Sequence, residues 1–501
     1  MNLLPLSRIA QWSGGRLQGA DVLIDAIETD TRALDGDDGR SALFVALKGE
    51  RFDGHDHVAR AGDLGVRAAL VSHLVDSPLP QVLVADTQRA LASLAAAMQH
   101  ARSGKVVGVT GSNGKTSVKT LVLSILQRAG HAYGNPGNRN NEIGLPLAVI
   151  DAPDDADFAV YEMGAGKPGD IAYLTAVVRP DVALVNNVAP AHLERMGDLL
   201  GVADTKAAIY DALPADGVAV INADDAFAPF FAERAHGRRL LRFGLDAEAD
   251  VGARNVRFAD DGMHFTLVTP NGEADAMVPM PGRHNVANAL AAATLALACG
   301  VSLANIVAGL REAGPVAGRL VRHRLPGGVV LVDDSYNANP GSLNAAIDTL
   351  AAAPGEAWLV LGDMRELGAD ARSLHEQAGR RAKEAGIARL YALGALSAAA
   401  ADAFGEGGRD FETHEALAEA LRIDIAAYAG VSPVGAAEAA SSSAGGKNLA
   451  ASAAPTKAAG TEGADDNAPA RLQVLVKGSR GSAMDRVAKA LLDNGEAAHA
   501  A

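Results

Sequence analysis

Short apolar runs typical of buried strands recur along the middle of the chain, separated by segments with helical periodicity. The intervening segments 116–129 and 202–213 repeat apolar residues every three or four positions. This alternation is typical of βαβ units, so we predict an α/β protein whose centre is a doubly wound, mainly parallel sheet. The predicted strands of that sheet are 105–110, 158–162, 181–186 and 217–222.

Similar patterns occupy both ends of the chain. Near the N-terminus, strand-like runs precede a helical pattern at 88–101, and they lie at 41–47, 67–71 and 81–85. After Gly318, further runs predict a second parallel sheet of the Rossmann-like type, at 329–333, 357–361, 389–393 and 472–477. We therefore predict three domains, bounded as 1–103, 104–317 and 318–501.

The segment 430–470 breaks the alternation, because it is rich in Ala, Ser, Gly and Pro and holds no aromatic residue. Such a composition buries too little apolar surface to offset chain entropy, so we predict a disordered low-complexity insertion in the third domain. A linker to a fourth domain is the alternative. The short remainder of the chain, with one strand and one helix, argues against it.

Composition narrows the class of protein further. The chain has 501 residues, a formal net charge of −15 and 49% hydrophobic residues, and a single cysteine, Cys299. The acidic balance disfavours nucleic acid or an anionic membrane as the main partner. One cysteine excludes an intramolecular disulfide. No signal-peptide pattern is present, and the apolar run 289–301 is too short to span a bilayer, so we expect a cytoplasmic protein.

The strongest chemical signal is a glycine-rich turn between the strand 105–110 and the helix 116–129. Its glycines allow backbone N–H groups to surround phosphate oxygens, its lysine supplies a full charge, and its threonine hydroxyl can ligate Mg²⁺. Val109 stands where the common phosphate loop has its first glycine, and an ordinary turn with a chance lysine is the alternative. The predicted ATP-binding residues here are Thr110, Gly111, Ser112, Asn113, Gly114, Lys115, Thr116 and Ser117.

Three further residues are candidates for metal binding. Glu162 ends a predicted strand, where a carboxylate beside a phosphate loop suits Mg²⁺. His192 and Lys206 follow the next strand, and on chemistry alone each is more often an ordinary surface or core residue.

Several polar clusters elsewhere in the sequence are further candidates for ligand binding. The loop 137–144 is dense in Asn, Asn285 and Asn288 share one helix face, and the segment 333–340 follows a strand. Arg319 follows a glycine-containing hinge at 314–318. Turn and cap chemistry is the alternative explanation for each of them.

Together these motifs resemble the Mur ligase family, the ATP-dependent amide-forming enzymes of peptidoglycan precursor synthesis. The resemblance covers nearly the whole chain and is carried by 110–117, Glu162, His192, Lys206, 282–285 and Arg319. Four more motifs resemble the branch that adds D-alanyl-D-alanine to UDP-N-acetylmuramoyl-tripeptide, namely 43–55, 137–146, 334–341 and 477–480. The Asp-Asn-Pro-Arg tetrapeptide of the diaminopimelate-adding branch is absent from the sequence.

The resemblance implies ATP and Mg²⁺, a UDP-binding first domain, a central ATPase domain, a last domain that receives the incoming substrate, and a monomer. It implies catalytic roles for Lys115, Glu162, His192 and Lys206. It implies that metal ions are bound by Thr116, Glu162, His192 and a carbamylated Lys206. It implies further contacts with ATP by Asn285, Asn288, Arg319, Asp334, Tyr336 and Asn337. The uridine diphosphate end falls to Thr31, Arg32, Lys48, Phe52, Asp53 and His55, and the peptide to Asn138, Asn140 and Asn141.

Three alternatives stay open at this point. The first is the sibling ligase that adds diaminopimelate or lysine. The second is a folylpolyglutamate-type ligase, against which the motif at 43–55 argues because that class has no UDP-binding first domain. The third is a non-enzymatic nucleotide-binding module that uses the segment 430–470.

Overall fold

A computed structural model describes residues 1–34, 39–190, 193–259, 261–430 and 470–499 of the chain. The chain divides into two compact units, Met1–Gly314 and Pro315–Ala501. The α/β class with several parallel sheets is confirmed. The predicted domain boundaries at 103 and 317 stay a prediction, and the segment 431–469 lies outside the described residues.

The N-terminal sheet of the first unit has five strands in the order β2-β7-β6-β5-β4. Strands β4 to β7 are parallel, whereas β2 runs antiparallel to β7. A short antiparallel pair, β1 with β3, lies beside the first helix. The elements are β1 (Leu4–Pro5), α1 (Leu6–Ser13), β2 (Arg16–Gln18), β3 (Leu23–Ile24), β4 (Ala26–Glu28), β5 (Ala42–Val45), α2 (Val58–Asp63), β6 (Ala68–Val71), β7 (Gln81–Leu83) and α3 (Thr87–His100).

The central sheet has six parallel strands in the order β13-β12-β11-β8-β10-β9. Strand β8 therefore lies in the interior of the sheet, between β10 and β11. The elements are β8 (Lys105–Thr110), α4 (Lys115–Leu126), β9 (Ala132–Gly134), α5 (Gly144–Asp151), β10 (Phe158–Glu162), α6 (Asp170–Val178), β11 (Val182–Val185), α7 (Leu193–Met196), α8 (Leu199–Asp211), β12 (Val218–Asn222), α9 (Ala228–Arg234) and β13 (Arg239–Phe243).

Both faces of the central sheet are covered. In β11, Ala183 and Val185 belong to one hydrophobic cluster, whereas Val182 and Leu184 belong to the other. Such burial on both faces explains why these strands are continuous apolar runs without polar alternation. The first of these clusters also includes the apolar faces of α1 and α3, so the N-terminal segment packs on the central sheet.

A three-stranded antiparallel sheet completes the first unit and was not predicted. Side chains of β15 alternate between buried and half-buried positions, as expected for a sheet covered on one face. Two helices follow, and α10 is buried along most of its length. The elements are β14 (Gly252–Ala259), β15 (Gly262–Thr269), β16 (Gly272–Val278), α10 (Arg283–Ala298) and α11 (Leu303–Glu312).

The second unit holds a six-stranded sheet in the order β17-β18-β22-β19-β20-β21. Five strands are parallel, and four of them were predicted. Strand β21 was missed because it is short and mostly polar, and the antiparallel edge strand β17 was missed because its sequence alternates with Arg and His. The elements are β17 (Val321–Leu325), β18 (Val329–Asp334), α12 (Pro340–Ala351), β19 (Glu356–Gly362), α13 (Ala371–Glu384), β20 (Arg389–Leu393), α14 (Ala395–Phe404), β21 (Gly408–Phe411), α15 (His414–Ala429), β22 (Leu472–Lys477) and α16 (Asp485–His499).

A single buried arginine links α3 to the central part of the first unit. The side chain of Arg102 is only 6% exposed. Its guanidinium donates to Asp154 Oδ1 at 2.8 Å, to the carbonyl of Val149 at 2.7 Å and to that of Ala152 at 2.7 Å. The two carbonyls belong to the end of α5, where the last carbonyl groups of an α-helix have no N–H donor within the helix.

We predict that Arg102→Met destabilises the first unit by about 2–4 kcal/mol, because charged hydrogen bonds to buried carbonyls are lost. The measurement is urea unfolding followed by Trp12 fluorescence in a Trp358→Phe background, since the chain has two tryptophans, one in each unit. The matched control is Arg128→Met, which removes an exposed pair with Glu312 and costs less than about 1 kcal/mol. Equal losses for the two variants would contradict a special role of Arg102.

Candidate active site

The phosphate loop lies where β8 ends, in the middle of the central sheet. The Thr110 hydroxyl is buried and donates to the carbonyl of Met163 at 2.9 Å, which fixes the strand end. Gly114 immediately precedes α4 with φ +78°, a conformation that favours glycine. A Cβ on Gly114 would lie 2.4 Å from Asn288 Oδ1 and 2.6 Å from Asn186 Nδ2. Both backbone conformation and space therefore require glycine at this position.

Two asparagines that follow β11 hold the loop from the side. The backbone N–H of Ser112 donates to the carbonyl of Asn187 at 2.9 Å, and that of Asn113 donates to Asn187 Oδ1 at 2.8 Å. Asn186 Nδ2 donates in return to the carbonyl of Asn113 at 3.0 Å. Neither asparagine was predicted as a site residue. Their position directly after a buried parallel strand was the available signal.

The predicted pair Asn285 and Asn288 joins the same network. Asn288 Nδ2 donates to Asn285 Oδ1 at 3.1 Å, so the two residues contact each other one turn apart as expected. Asn288 Oδ1 accepts from Asn186 Nδ2 at 3.1 Å, and both helix residues are buried. The start of α10 is thereby fastened to the phosphate loop.

The charged residues of the loop lie at the start of α4. Lys115 Nζ donates to the carbonyl of Gly111 at 2.8 Å, so its ammonium group lies over the loop. The first N–H groups of an α-helix have no intrahelical acceptor and favour an anion. Thr116 and Ser117 extend this helix start. Residues 110–117 thus combine a glycine-containing turn, a helix start and one full positive charge, an arrangement that suits an anion.

Glu162 ends β10 beside the loop, and its side chain is 4% exposed. Burial alone raises the pKa of this carboxyl, but the ammonium groups of Lys119 and Lys115 outweigh burial, and the pKa lies below its usual range. Asn140 Nδ2 donates to Glu162 Oε1 at 2.9 Å, and the Thr116 hydroxyl also favours the ionised form. Glu162 is therefore an anion at neutral pH.

The other carboxylate oxygen of Glu162 offers a test of metal binding. Glu162 Oε2 is buried and accepts no hydrogen bond from the described part of the chain. A buried carboxylate oxygen that accepts no hydrogen bond fits a hard cation such as Mg²⁺, although the ammonium group of Lys119 lies 3.3 Å from it. No cluster of three or more His, Cys, Asp or Glu side chains suited to a metal occurs within residues 1–34, 39–190, 193–259, 261–430 and 470–499. Substrate oxygens would have to complete the coordination.

Lys206 lies on α8 with its side chain buried. Burial, with a contribution from Lys115, lowers the pKa of its ammonium to about 7. This makes the neutral amine accessible near neutral pH, which an ordinary lysine does not permit. The predicted partner His192 lies outside the described residues.

In the asparagine-rich loop, one of the three predicted residues contacts the Glu162 carboxylate and the other two do not. Asn140 contacts Glu162 as described. Asn141 Oδ1 accepts from the N–H of Gly144 at 2.7 Å at the start of α5. Asn138 is exposed. Of the three predicted peptide-binding residues, the structure therefore brings only Asn140 into contact with the Glu162 carboxylate.

The six predicted uridine-diphosphate residues lie at the carboxyl ends of two neighbouring parallel strands. Thr31 and Arg32 form a turn after β4, and the remaining residues follow β5, which pairs with β4 in parallel register. The latter are Lys48, Phe52, Asp53 and His55. This grouping matches the expected position of a ligand at a sheet edge.

Asp53 and His55 form the ordered part of this group. The His55 ring accepts from the N–H of Ser72 through Nε2 at 2.9 Å, so Nδ1 carries the proton and donates to Asp53 Oδ1 at 2.5 Å. The backbone N–H and the ring of His55 lower the pKa of Asp53 to about 2. Lys48 Nζ lies 3.6 Å from Asp53 Oδ2, and Phe52 is 60% exposed. The cluster offers a cation and an open aromatic face.

In the second unit, the predicted residues gather around the ends of β18 and β22. Asp334 Oδ2 accepts from Lys477 Nζ at 2.5 Å, and Lys477 also donates to the carbonyl of Asn337 at 3.1 Å. The Arg319 guanidinium lies 4.4 Å from the centre of the Tyr336 ring. Burial lowers the pKa of Lys477, although Asp334 acts in the opposite direction. Lys477 belongs to the sequence motif 477–480, but it was not predicted as a site residue.

The fold and the site define a nucleotide-binding α/β protein with a phosphate loop in its central sheet. Residues 109–296 match the Mur ligase middle domain, and residues 318–480 match the Mur ligase, glutamate ligase domain. These two matches cover most of the chain. The chain belongs to the Mur ligase family and is an enzyme of the ligase class.

Similar full-length proteins agree with this assignment. The chain is 41% identical over 491 residues to the UDP-N-acetylmuramoyl-tripeptide–D-alanyl-D-alanine ligase of Escherichia coli, covering 98% of both chains. It is similar to MurF from Acinetobacter baumannii with a TM-score of 0.85 and 31% identity, covering 98% of this chain and 100% of the other. MurF ligase from Thermotoga maritima in complex with ADP gives a TM-score of 0.76 at 25% identity, covering 94% and 98%.

Across the residues that the structure describes, no helix is long and apolar enough to cross a membrane.

We predict that Gly114→Ala lowers kcat/KM for ATP at least ~100-fold, because the new methyl group meets two side-chain amides and displaces the loop. The matched control is Gly169→Ala. Gly169 has φ +89°, and nothing lies within 4 Å of its added Cβ. Phosphate release at varied ATP concentration measures both variants. Similar losses in the two would show that backbone strain, rather than displacement of the loop, determines the result.

Proposed function

We propose that this protein joins D-alanyl-D-alanine to UDP-N-acetylmuramoyl-tripeptide in an ATP-dependent reaction. The observation that carries the proposal is the phosphate loop with the buried Glu162 beside it, in a chain that matches a ligase of that name over 98% of both lengths. The diaminopimelate-adding sibling and the folylpolyglutamate-type ligase are the alternatives within reach of the fold.

The proposed reaction has two steps. A carboxylate oxygen of the tripeptide attacks the γ-phosphorus of ATP, and ADP leaves. The free amine of D-alanyl-D-alanine then attacks the acyl carbon and gives up one proton to solvent, an amide bond forms, and inorganic phosphate leaves with the former carboxylate oxygen. Phosphorylation is needed because a carboxylate oxygen is a poor leaving group.

The residues of the first unit divide this work between binding and charge. Lys115 and the N-terminal N–H groups of α4 bind and neutralise the phosphoryl oxygens. Thr116 and Glu162 would hold Mg²⁺, which supplies further positive charge at the transferred group when it is bound. Asn285 and Asn288 fix the loop against α10, and Asn140 orients Glu162. The proposed contacts of the second unit with ATP are Arg319, Asp334, Tyr336 and Asn337.

Lys206 has a separate proposed role. A neutral buried lysine amine can react with carbon dioxide to form a carbamate, which converts a cation into an anionic oxygen ligand. With a pKa of about 7, Lys206 reaches the neutral form near pH 7. The carbamate and His192 would hold a second metal ion.

The remaining proposals concern the binding of the two ends of the nucleotide-linked tripeptide, the location of the protein and its oligomeric state. We propose that the cluster around Asp53 binds the uridine diphosphate end and that Asn138, Asn140 and Asn141 bind the peptide. We also propose that the protein acts as a monomer in the cytoplasm, where ATP is available.

We predict that phosphate release with UDP-N-acetylmuramoyl-tripeptide and ATP requires D-alanyl-D-alanine and is not supported by diaminopimelate, lysine or glutamate. With ¹⁸O in the tripeptide carboxylate, one ¹⁸O atom is expected in the released phosphate, because the acyl phosphate breaks at its acyl–oxygen bond. Turnover with diaminopimelate instead would assign the protein to the sibling branch.

Two variants serve as controls for that assay. Lys115→Ala is expected to abolish turnover, since the phosphoryl charge loses its fixed cation. A chain without residues 431–469 is expected to keep turnover. Full activity of Lys115→Ala would contradict the proposed function, and loss of turnover in the deletion variant would favour a role of that segment in catalysis.

We also predict a carbamate signal in ¹³C NMR spectra of the protein in ¹³C-bicarbonate, absent from Lys206→Arg. The neutral fraction of an amine with a pKa of about 7 rises from ~10% at pH 6 to ~90% at pH 8, so the signal grows over this range. A signal that persists in Lys206→Arg would assign the carbamate to another amine.

A further inference from the structure

Lys119 is a buried lysine that the proposed reaction does not use. It lies one helical turn after Lys115 on α4, and its side chain is 7% exposed. Its ammonium group donates to the carbonyl of Asn135 at 2.8 Å and to that of Gly137 at 3.4 Å. A buried ammonium group is costly unless it is paired, and the two carbonyls provide hydrogen-bond acceptors for it.

The same ammonium group lies 3.3 Å from Glu162 Oε2. Within the part of the chain that the structure describes, that oxygen accepts no hydrogen bond, although the ammonium group is within ion-pair distance of it. Lys119 therefore supplies positive charge to Glu162, while the loop carbonyls accept its hydrogen bonds.

Two asparagines, Asn135 and Asn140, also connect the loop that Lys119 binds to Glu162. The N–H of Glu162 donates to Asn135 Oδ1 at 2.8 Å, and Asn135 Nδ2 donates to the carbonyl of Glu162 at 3.1 Å. Asn135 Nδ2 also reaches the carbonyl of Arg139 at 2.9 Å, and Asn140 donates to the Glu162 carboxylate. Only the tip of the loop, residues 136–139, is exposed.

We propose that Lys119 is a positioning residue that fixes the loop 135–140 against Glu162, and that it thereby determines affinity for the carboxylate end of the peptide substrate. This inference rests on the proposed function for the identity of the ligand. The hydrogen bonds of the Lys119 ammonium group go to the loop and not to residues 110–117, so we expect affinity for the adenine nucleotide to depend little on it.

The first test measures binding by calorimetry without metal ion. Lys119→Met is expected to weaken binding of UDP-N-acetylmuramoyl-tripeptide about tenfold or more, and binding of ADP less than about threefold. Lys119→Arg, which keeps the charge and donors, is expected to recover part of the peptide affinity. The matched control is Lys105→Met, an exposed lysine at the opposite end of β8, which changes neither affinity. Equal losses for both ligands, or unchanged peptide affinity in Lys119→Met, would overturn the inference.

A second readout is independent of any ligand. Amide hydrogen exchange in residues 135–141 is expected to accelerate in Lys119→Met, with α5 and β10 unchanged. If the wild-type protein does not bind the tripeptide, the proposed function fails, and the exchange experiment still decides whether Lys119 fixes the loop. If Lys119→Met does not fold, Asn135→Ala releases the loop from its other side. The same split between peptide and ADP is then expected, and its absence would refute the inference.

Discussion

The candidate site depends on one geometric constraint, which is that parallel strands open their carboxyl ends at the same edge of a sheet. Strand β8 lies between β10 and β11, so the phosphate loop, Glu162 and Asn186 meet without any being close in sequence. The loop takes its shape from hydrogen bonds to the residues after β11 as well as from its own glycines. A different strand order would leave the same motif without its supports.

That convergence brings charges into a poorly hydrated region, and the charges compensate one another. Glu162 stays ionised although it is buried, because Lys119 and Lys115 lie on the same helix one turn apart. Lys206 receives no comparable counter-charge from the described residues, and its pKa falls accordingly. The same region of the first unit thus holds a carboxylate that stays charged and an amine that is partly neutral near pH 7.

Sequence reasoning predicted the parallel strands well, because a strand buried on both faces must be a continuous apolar run. The predicted limits of β8, β10 and β22 agree with the structure. The antiparallel sheet from Gly252 to Val278 was missed, because β14 is largely polar and exposed on one face. Residues whose role follows from local chemistry, such as Lys115, were predicted.

Lys119 was not predicted, because a lysine in a helix pattern is normally solvated. Its role depends on which loop packs over that face of α4, and no local pattern specifies this. The same holds for Asn186, whose side chain reaches both the phosphate loop and α10. The uridine-diphosphate residues were proposed from the family resemblance alone, and both their position after two neighbouring strands and the hydrogen-bonded pair of Asp53 and His55 emerged only from the folded geometry.

The strand order of the second unit has a consequence for protein synthesis. Strand β22 is the last strand in the chain, yet it lies between β18 and β19 and pairs with both. As the chain leaves the ribosome, β18 and β19 emerge first and each has an unpaired edge, a state that favours wrong pairing. In the first unit, β7 and β10 also insert between earlier strands, but each follows its preceding partner much more closely in the chain than β22 follows β19. Unpaired strand edges of the nascent chain are therefore exposed longest while β22 is still missing.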